Sequence, residues 1–269
     1  MTNLRVAIGG FGAIGQEVAK ALDEGIPGLH LVAVSARDQE KARRNLEPFT
    51  GEVGLLPLGE LAAQADIVIE CAPAAVFREL ALPAIEQGRI LVPLSVGQLL
   101  VHADLEARAA ETGARILVPT GALLGLDAVR AAAEGTIESV TMVTRKPPGG
   151  LAGAPYLTLN DIDLEGLAEP RRVFKGTARE GAKGFPANVN VAAALSLAGI
   201  GPDRTMLEIW ADPGVTRNTH QIEVEASSAR FTLKIENVPS AANPRTGEIT
   251  ALSTIALLRG LTSTLKVGS

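Results

Sequence analysis

Within its first fifteen residues the chain passes from an apolar segment into three spaced glycines, and that feature narrows the possible fold more than any other. Residues 4–8 read as a buried strand and run into Gly9-Gly10-Phe11-Gly12-Ala13-Ile14-Gly15, after which helical spacing begins. Gly10, Gly12 and Gly15 fit the pattern G-x-G-x-x-G. In that pattern the first glycine permits a tight turn and the second lets a pyrophosphate approach the backbone. The third allows close helix–strand packing, and the helix N-terminus offers unpaired N–H groups to the phosphates. A bare match is weak, and a purely structural glycine turn competes with it. Here the loop heads an alternating series of strands and helices, which favours a dinucleotide held by Gly10, Phe11, Gly12, Ala13, Ile14 and Gly15.

The series continues through the first 120 residues. Apolar runs at 29–34, 67–69, 90–94 and 116–118 are rich in β-branched residues and do not alternate, as suits strands covered on both faces of a parallel sheet. Helical stretches lie at 15–23, 38–47, 58–65, 74–87 and 98–112, with Gly25, Gly88 and Gly113 placed where helices stop. The expected class is α/β: a Rossmann-type doubly wound parallel sheet forming a dinucleotide-binding domain over 1–120. The pattern changes after about residue 136. A strand is expected at 137–144, and period-two alternation marks 219–226 and 230–236, with Ser227-Ser228-Ala229 as the turn between them. With a helix at 187–199, these elements predict a second, α+β substrate domain over 121–245. Residues 246–269 return to helical spacing and are expected to pack back on the first domain.

Composition removes several classes of function. The net charge of −5, from 25 Lys+Arg against 30 Asp+Glu, argues against nucleic acid or an anionic membrane as partner. Six Phe, one Tyr and one Trp are too few for base-stacking platforms. A single cysteine, Cys71, excludes an internal disulfide framework, and His30, His102 and His220 lack metal-ligand spacing, so no metal site is expected. No apolar run reaches membrane-spanning length. A soluble, intracellular enzyme acting on a small molecule is the expectation that remains.

Cofactor type is read about 20 residues past the glycines, at the end of the second strand. Val34-Ser35-Ala36-Arg37-Asp38 stands there. An acidic side chain directly after the strand would hold the ribose 2′-OH of NAD and repel the 2′-phosphate of NADP. Ser35 with Arg37 close by tolerates either cofactor, although Arg37 reads equally as a solvated charge. Asp38 reads as a helix cap. Further along, Asn188 and Asn190 open a helix; they read as caps or as amides able to pair with a nicotinamide carboxamide. In the last strand pair, period two sets His220 on the face of Ile222 and Val224. Alone, a histidine on an apolar face reads as a core residue; Arg217 and Asn218 beside it suit an anionic substrate.

At these residues the chain resembles the L-aspartate dehydrogenase family, whose members are similar in architecture to dihydrodipicolinate reductase and homoserine dehydrogenase. The matching stretches are Gly10 to Gly15, Gly121-Ala-Leu-Leu-Gly-Leu-Asp127, Thr144-Arg-Lys-Pro-Pro148, Phe185-Pro-Ala-Asn-Val-Asn-Val-Ala192, and Asp212-Pro through His220. The resemblance implies reversible, NAD- or NADP-dependent oxidation of L-aspartate to iminoaspartate, which hydrolyses to oxaloacetate and ammonia or feeds NAD biosynthesis. It implies that His220 is catalytic and that Ala122 and Asn190 contact the cofactor. Two substrate carboxylates call for cationic partners, and Arg145, Lys146, Lys183 and Arg217 are all candidates. A cytoplasmic homo-oligomer, in the simplest case a homodimer, is expected of such an enzyme. Three other readings stay open: a reductase of another imine or of a semialdehyde, a thiol mechanism through Cys71 with His220, and a non-catalytic NAD(P)-binding redox sensor.

Overall fold

A computed structural model describes residues 3–186, 189–240 and 247–268. The chain divides into two units, Met1–Pro119 with Ala251–Lys266, and Thr120–Thr250 with Val267–Ser269.

The first unit is built on six parallel strands: β1 (Leu4–Gly9), β2 (Leu29–Ser35), β3 (Gly54–Leu55), β4 (Ile67–Glu70), β5 (Ile90–Pro93) and β6 (Arg115–Ile116). Their order is β3-β2-β1-β4-β5-β6. The order reverses at β1, and the crevice for a ligand opens outside the carboxyl ends of β1 and its neighbours. Both faces are apolar because successive side chains point to opposite sides. Val6 and Ile8 of β1 join Ile67, Ile69 and Val92 in one core, under Val18 and Leu22 of the helix Ala13–Gly25. Ala7 joins Val68 and Leu91 in the other, under Phe77, Leu80 and Leu105. Ala251 and Leu258, from the helix Ile249–Thr262, belong to the first of these cores.

The helix expected at 98–112 is two helices, Gly97–Val101 and Asp104–Thr112. His102 leaves the helical region between them and stacks on Phe77, and Asp104 restarts the coil with an acidic first turn favoured by the helix dipole. Gly113, in the left-handed region, ends the second piece.

The second unit carries β7 (Ile137–Lys146), β8 (Arg171–Thr177), β9 (Thr205–Ala211), β10 (Asn218–Ala226) and β11 (Arg230–Asn237), in the order β11-β10-β7-β9-β8. The sheet is mixed, since β7 and β9 run parallel while the other neighbours are antiparallel. It is richer than the three strands and one helix expected. Besides β8 and β9 it adds the helices Leu126–Ala133, Pro155–Leu159 and Ala178–Gly184 to Asn190–Ala198. The last of these begins later than expected, and residues 187 and 188 lie outside the described part of the chain. No helix among the described residues is long and apolar enough to cross a membrane.

Candidate active site

The glycine loop has the shape its residue types demand. Gly10 adopts φ +100° and its N–H donates to the Ser35 carbonyl at 2.9 Å. Any Cβ on Gly10 would collide with the Cys71 carbonyl oxygen, and one on Gly15 with the Gly10 carbonyl oxygen. Gly12 differs, because a Cβ there meets nothing within 4 Å. It sits at the N-cap of Ala13–Gly25, where no side chain bonds the first helical N–H groups. An open space over a bare helix N-terminus fits a pyrophosphate. Phe11 is buried edge-on against Phe49, and Gln16 Nε2 donates to the Phe11 carbonyl at 3.0 Å, which holds the loop's crown. At the end of β2, Ser35 is buried and Arg37 exposed, while Asp38 caps its helix by accepting the Lys41 N–H at 3.0 Å.

Next to this loop lies a group that the sequence reading passed over. Glu70, the last residue of β4, is fully buried. One carboxylate oxygen accepts the Ala72 N–H at 2.9 Å and the Ser95 hydroxyl at 3.1 Å; the other accepts the Ser95 N–H at 2.8 Å. Burial pushes this carboxyl upward, against the pull of its donors. The available signal was a single charge ending the apolar run Ile67-Val-Ile-Glu70. The neighbouring Cys71 thiol is pushed well above its usual range by burial and by the Glu70 charge. A thiol kept protonated is a poor nucleophile, which speaks against the Cys71 mechanism.

In the second unit, the buried face of the mixed sheet ends in polar residues. His220 on β10 is directly opposite Thr144 on β7, and its Nδ1 lies 3.1 Å from Thr144 Oγ1. Alternation places Lys146 on the same face, two residues beyond Thr144, and both are buried. Burial drives His220 down to about 3, and the Lys146 charge pushes in the same direction. Burial drives Lys146 down to about 8. The result is a neutral imidazole and a readily titrated ammonium in one desolvated corner. Arg145 points to the opposite face, where it pairs with Asp212 at 3.2 Å and lies 4.6 Å over the Trp210 ring.

The other sequence candidates have different surroundings. Lys183 is exposed at the end of Ala178–Gly184, in the field of Glu180 and Asp203. Arg217 is exposed before β10, in the field of Glu236. Asn190 is the first residue of its helix, half-buried, with Val189 at the N-cap position; Asn188 lies outside the described residues. Ala122 is held by a residue absent from the sequence reading, Asn237 at the end of β11, whose Nδ2 donates to the Ala122 carbonyl at 3.0 Å. No group of His, Cys, Asp and Glu suited to a metal ion occurs among the described residues.

Comparison with known proteins bears on both units. Residues 10–119 match the family described as homoserine dehydrogenase, NAD binding domain, and residues 127–261 match aspartate dehydrogenase, C-terminal. The L-aspartate dehydrogenase of Bradyrhizobium diazoefficiens is 58% identical over 268 residues, covering 100% of this chain and 95% of that protein. L-aspartate dehydrogenase 3 of Bordetella bronchiseptica is 52% identical, covering 99% of this chain and 98% of that one. The crystal structure of aspartate dehydrogenase from Thermotoga maritima superposes with a TM-score of 0.76 at 23% identity, over 98% of this chain and 99% of that one.

Proposed function

The chain belongs to the L-aspartate dehydrogenase family, and on that footing we propose that it oxidises L-aspartate with NAD+ or NADP+ through iminoaspartate to oxaloacetate and ammonia. The observation that carries the chemical reading is the buried trio His220, Thr144 and Lys146.

When bound, the oxidised nicotinamide supplies the acceptor for the hydride that leaves Cα. The chain's own residues handle protons and charge. A C=N bond forms only from a neutral amine, because an ammonium has no lone pair to give. His220 is neutral, and with its Nδ1–H donated to Thr144 Oγ1 its Nε2 carries the lone pair that takes the ammonium proton. The Lys146 ammonium meets a substrate carboxylate as a charge-assisted hydrogen bond, which Arg145, engaged by Asp212, is less placed to make. Arriving carboxylates also raise the proton affinity of His220 from its ligand-free value toward that of the amine. In the second stage His220, having released that proton to solvent, removes a proton from the water that adds to the imine carbon. It passes this proton to the nitrogen, and the C–N bond breaks so that ammonia leaves as the new hydroxyl loses its own proton. Iminoaspartate that departs before water adds is available to NAD biosynthesis.

The decisive experiment is NAD(P)+ reduction across a panel of amino acids, with the reverse reaction run from oxaloacetate and ammonia. Activity with L-aspartate in one direction and with oxaloacetate plus ammonia in the other is expected. Turnover of another amino acid, with aspartate inert, would overturn the substrate assignment.

Two expectations concern the cofactor. Gly12→Val should fold, since its side chain enters open space, and should weaken NAD+ binding by about tenfold, the equivalent of ~1.4 kcal/mol. Calorimetric titration measures it, and unchanged affinity in a folded variant removes Gly12 from the site. Ser35→Asp adds a carboxylate at the end of β2 that holds a ribose 2′-OH and repels a 2′-phosphate. The ratio of kcat/KM for NAD+ over NADP+ is expected to rise; a fall would place the adenosine end elsewhere.

A further inference from the structure

Glu70 has no part in the chemistry described above, yet it is the most completely buried carboxylate among the described residues of its unit and occupies the carboxyl edge of the sheet. Its three short hydrogen bonds reach two different loops. Ala72 belongs to the segment leaving β4, and Ser95 to the segment leaving β5. The first of these segments is also the surface on which the glycine turn rests. Cys71 N–H donates to the Gly9 carbonyl at 2.7 Å, and the Cys71 carbonyl is the atom that forbids a Cβ on Gly10. A continuous path therefore runs from Ser95 through Glu70 to the Cys71–Ala72 peptide and on to Gly10.

Where this path lies in the sheet gives it meaning. The adenosine end of a dinucleotide is read at the end of β2, so the nicotinamide mononucleotide falls to the other half, beginning at β4. Glu70 ends that strand, level with Gly9 in the register of β1 and β4. The Ala72 and Ser95 N–H groups and the Ser95 hydroxyl all donate to this carboxylate and favour its charged form, against the opposing push of burial, and among the described residues no cation pairs with it. The oxidised nicotinamide ring carries a positive charge and the reduced ring carries none. A fixed negative charge beneath that half of the site interacts with the first and not with the second.

We propose that Glu70 is a positioning residue for the dinucleotide, which ties the loops after β4 and β5 against the glycine turn and whose charge favours the oxidised over the reduced cofactor. The proposal rests on dinucleotide binding by the glycine loop, which Gly12→Val tests separately.

Glu70→Gln and Ser95→Ala distinguish the two parts of this role. The glutamine keeps the size and one acceptor but sets an NH2 against a backbone N–H and removes the charge. Affinities for NAD+ and NADH are measured by calorimetric titration, with thermal stability recorded alongside. Glu70→Gln is expected to weaken NAD+ by roughly tenfold and NADH distinctly less, which lowers the preference for the oxidised form. Ser95→Ala retains the charge and loses one tether, so both affinities should fall together by a few-fold and their ratio should hold. Steady-state kinetics should show the loss in KM for NAD+ more than in kcat. Equal weakening of both cofactors in Glu70→Gln overturns the charge role, and unchanged NAD+ affinity overturns the whole proposal. Should Glu70→Gln fail to fold, Ser95→Ala carries the test alone: unchanged affinities there overturn it.

Discussion

Replacing His220 by alanine is expected to lower kcat for aspartate oxidation by about 10²–10⁴-fold, the usual contribution of a positioned acid–base group. NAD+ affinity should scarcely move, because the glycine loop belongs to the other unit. His220→Asn makes the sharper comparison. It supplies a side-chain amide able to hydrogen-bond but unable to titrate near neutrality. A folded asparagine variant with near-normal turnover across the pH range would sink the catalytic assignment and leave His220 as a core residue. The same pair of proteins yields a stability prediction. In the native state His220 is held at about 3, and in the unfolded chain a histidine takes its proton near 6.5. Between those values the unfolded state binds more protons, so wild-type stability falls as pH drops, by at most about 1.4 kcal/mol per pH unit from this group. The asparagine variant lacks that loss. Its stability relative to wild type should therefore improve on acidification from pH 6.5, as urea unfolding at several pH values will show.

Lys146→Met carries the second large effect and separates function from stability. Loss of one charge-assisted hydrogen bond to a substrate carboxylate should lower kcat/KM for aspartate by about 10–100-fold. The fold should not suffer in proportion, because an apolar side chain of similar length replaces a charge that is costly to bury. The pH dependence has a definite sign. Lys146 is held at about 8 in the native state, against the 10.5 of an ordinary lysine. Between pH 8 and 10.5 the unfolded chain binds the extra proton, so wild type gains stability relative to Lys146→Met as pH rises through that interval. In kinetics, wild-type kcat/KM should bend downward above about pH 8 as the ammonium is lost, and the variant should lack this bend. A bend of equal size in both proteins would assign it to another group.

Much of the first unit could be read from residue order alone. Strands covered on both faces are largely apolar, so β1, β2, β4 and β5 stood out as apolar runs, and Gly10 and Gly15 stood at positions where a side chain would collide. β3 was missed because two residues carry no period. β9 was missed for a different reason: Met206 and Trp210 place apolar groups on its outer face, which blurs the alternation of Thr205, Leu207, Ile209 and Ala211. In the second unit, the place of His220 on the buried face with Ile222 and Val224 was legible from the alternation of the strand. The choice among cations was not. Arg145 and Lys146 are adjacent in sequence, and only the extension of β7 to residue 146 and its pairing with β10 show that one faces His220's side and the other faces Asp212 and Trp210. Glu70 and Asn237 escaped notice because their roles are hydrogen bonds to backbone groups 25 and 115 residues distant, which leave no local pattern.

The return of Ala251 and Leu258 to the core beside β1 bears on how the protein is made. A ribosome releases residues 1–119 long before residue 258 exists, so the nucleotide-binding half waits with an apolar groove open along one face of its sheet. The intervening 131 residues hold nearly all of the second unit, which takes only Val267–Ser269 from beyond the helix Ile249–Thr262. The first unit therefore cannot close until residues emerge that follow nearly the whole of the second in the chain. A nascent chain stalled just short of that helix would hold most of the second unit and a first unit whose apolar surface is still open.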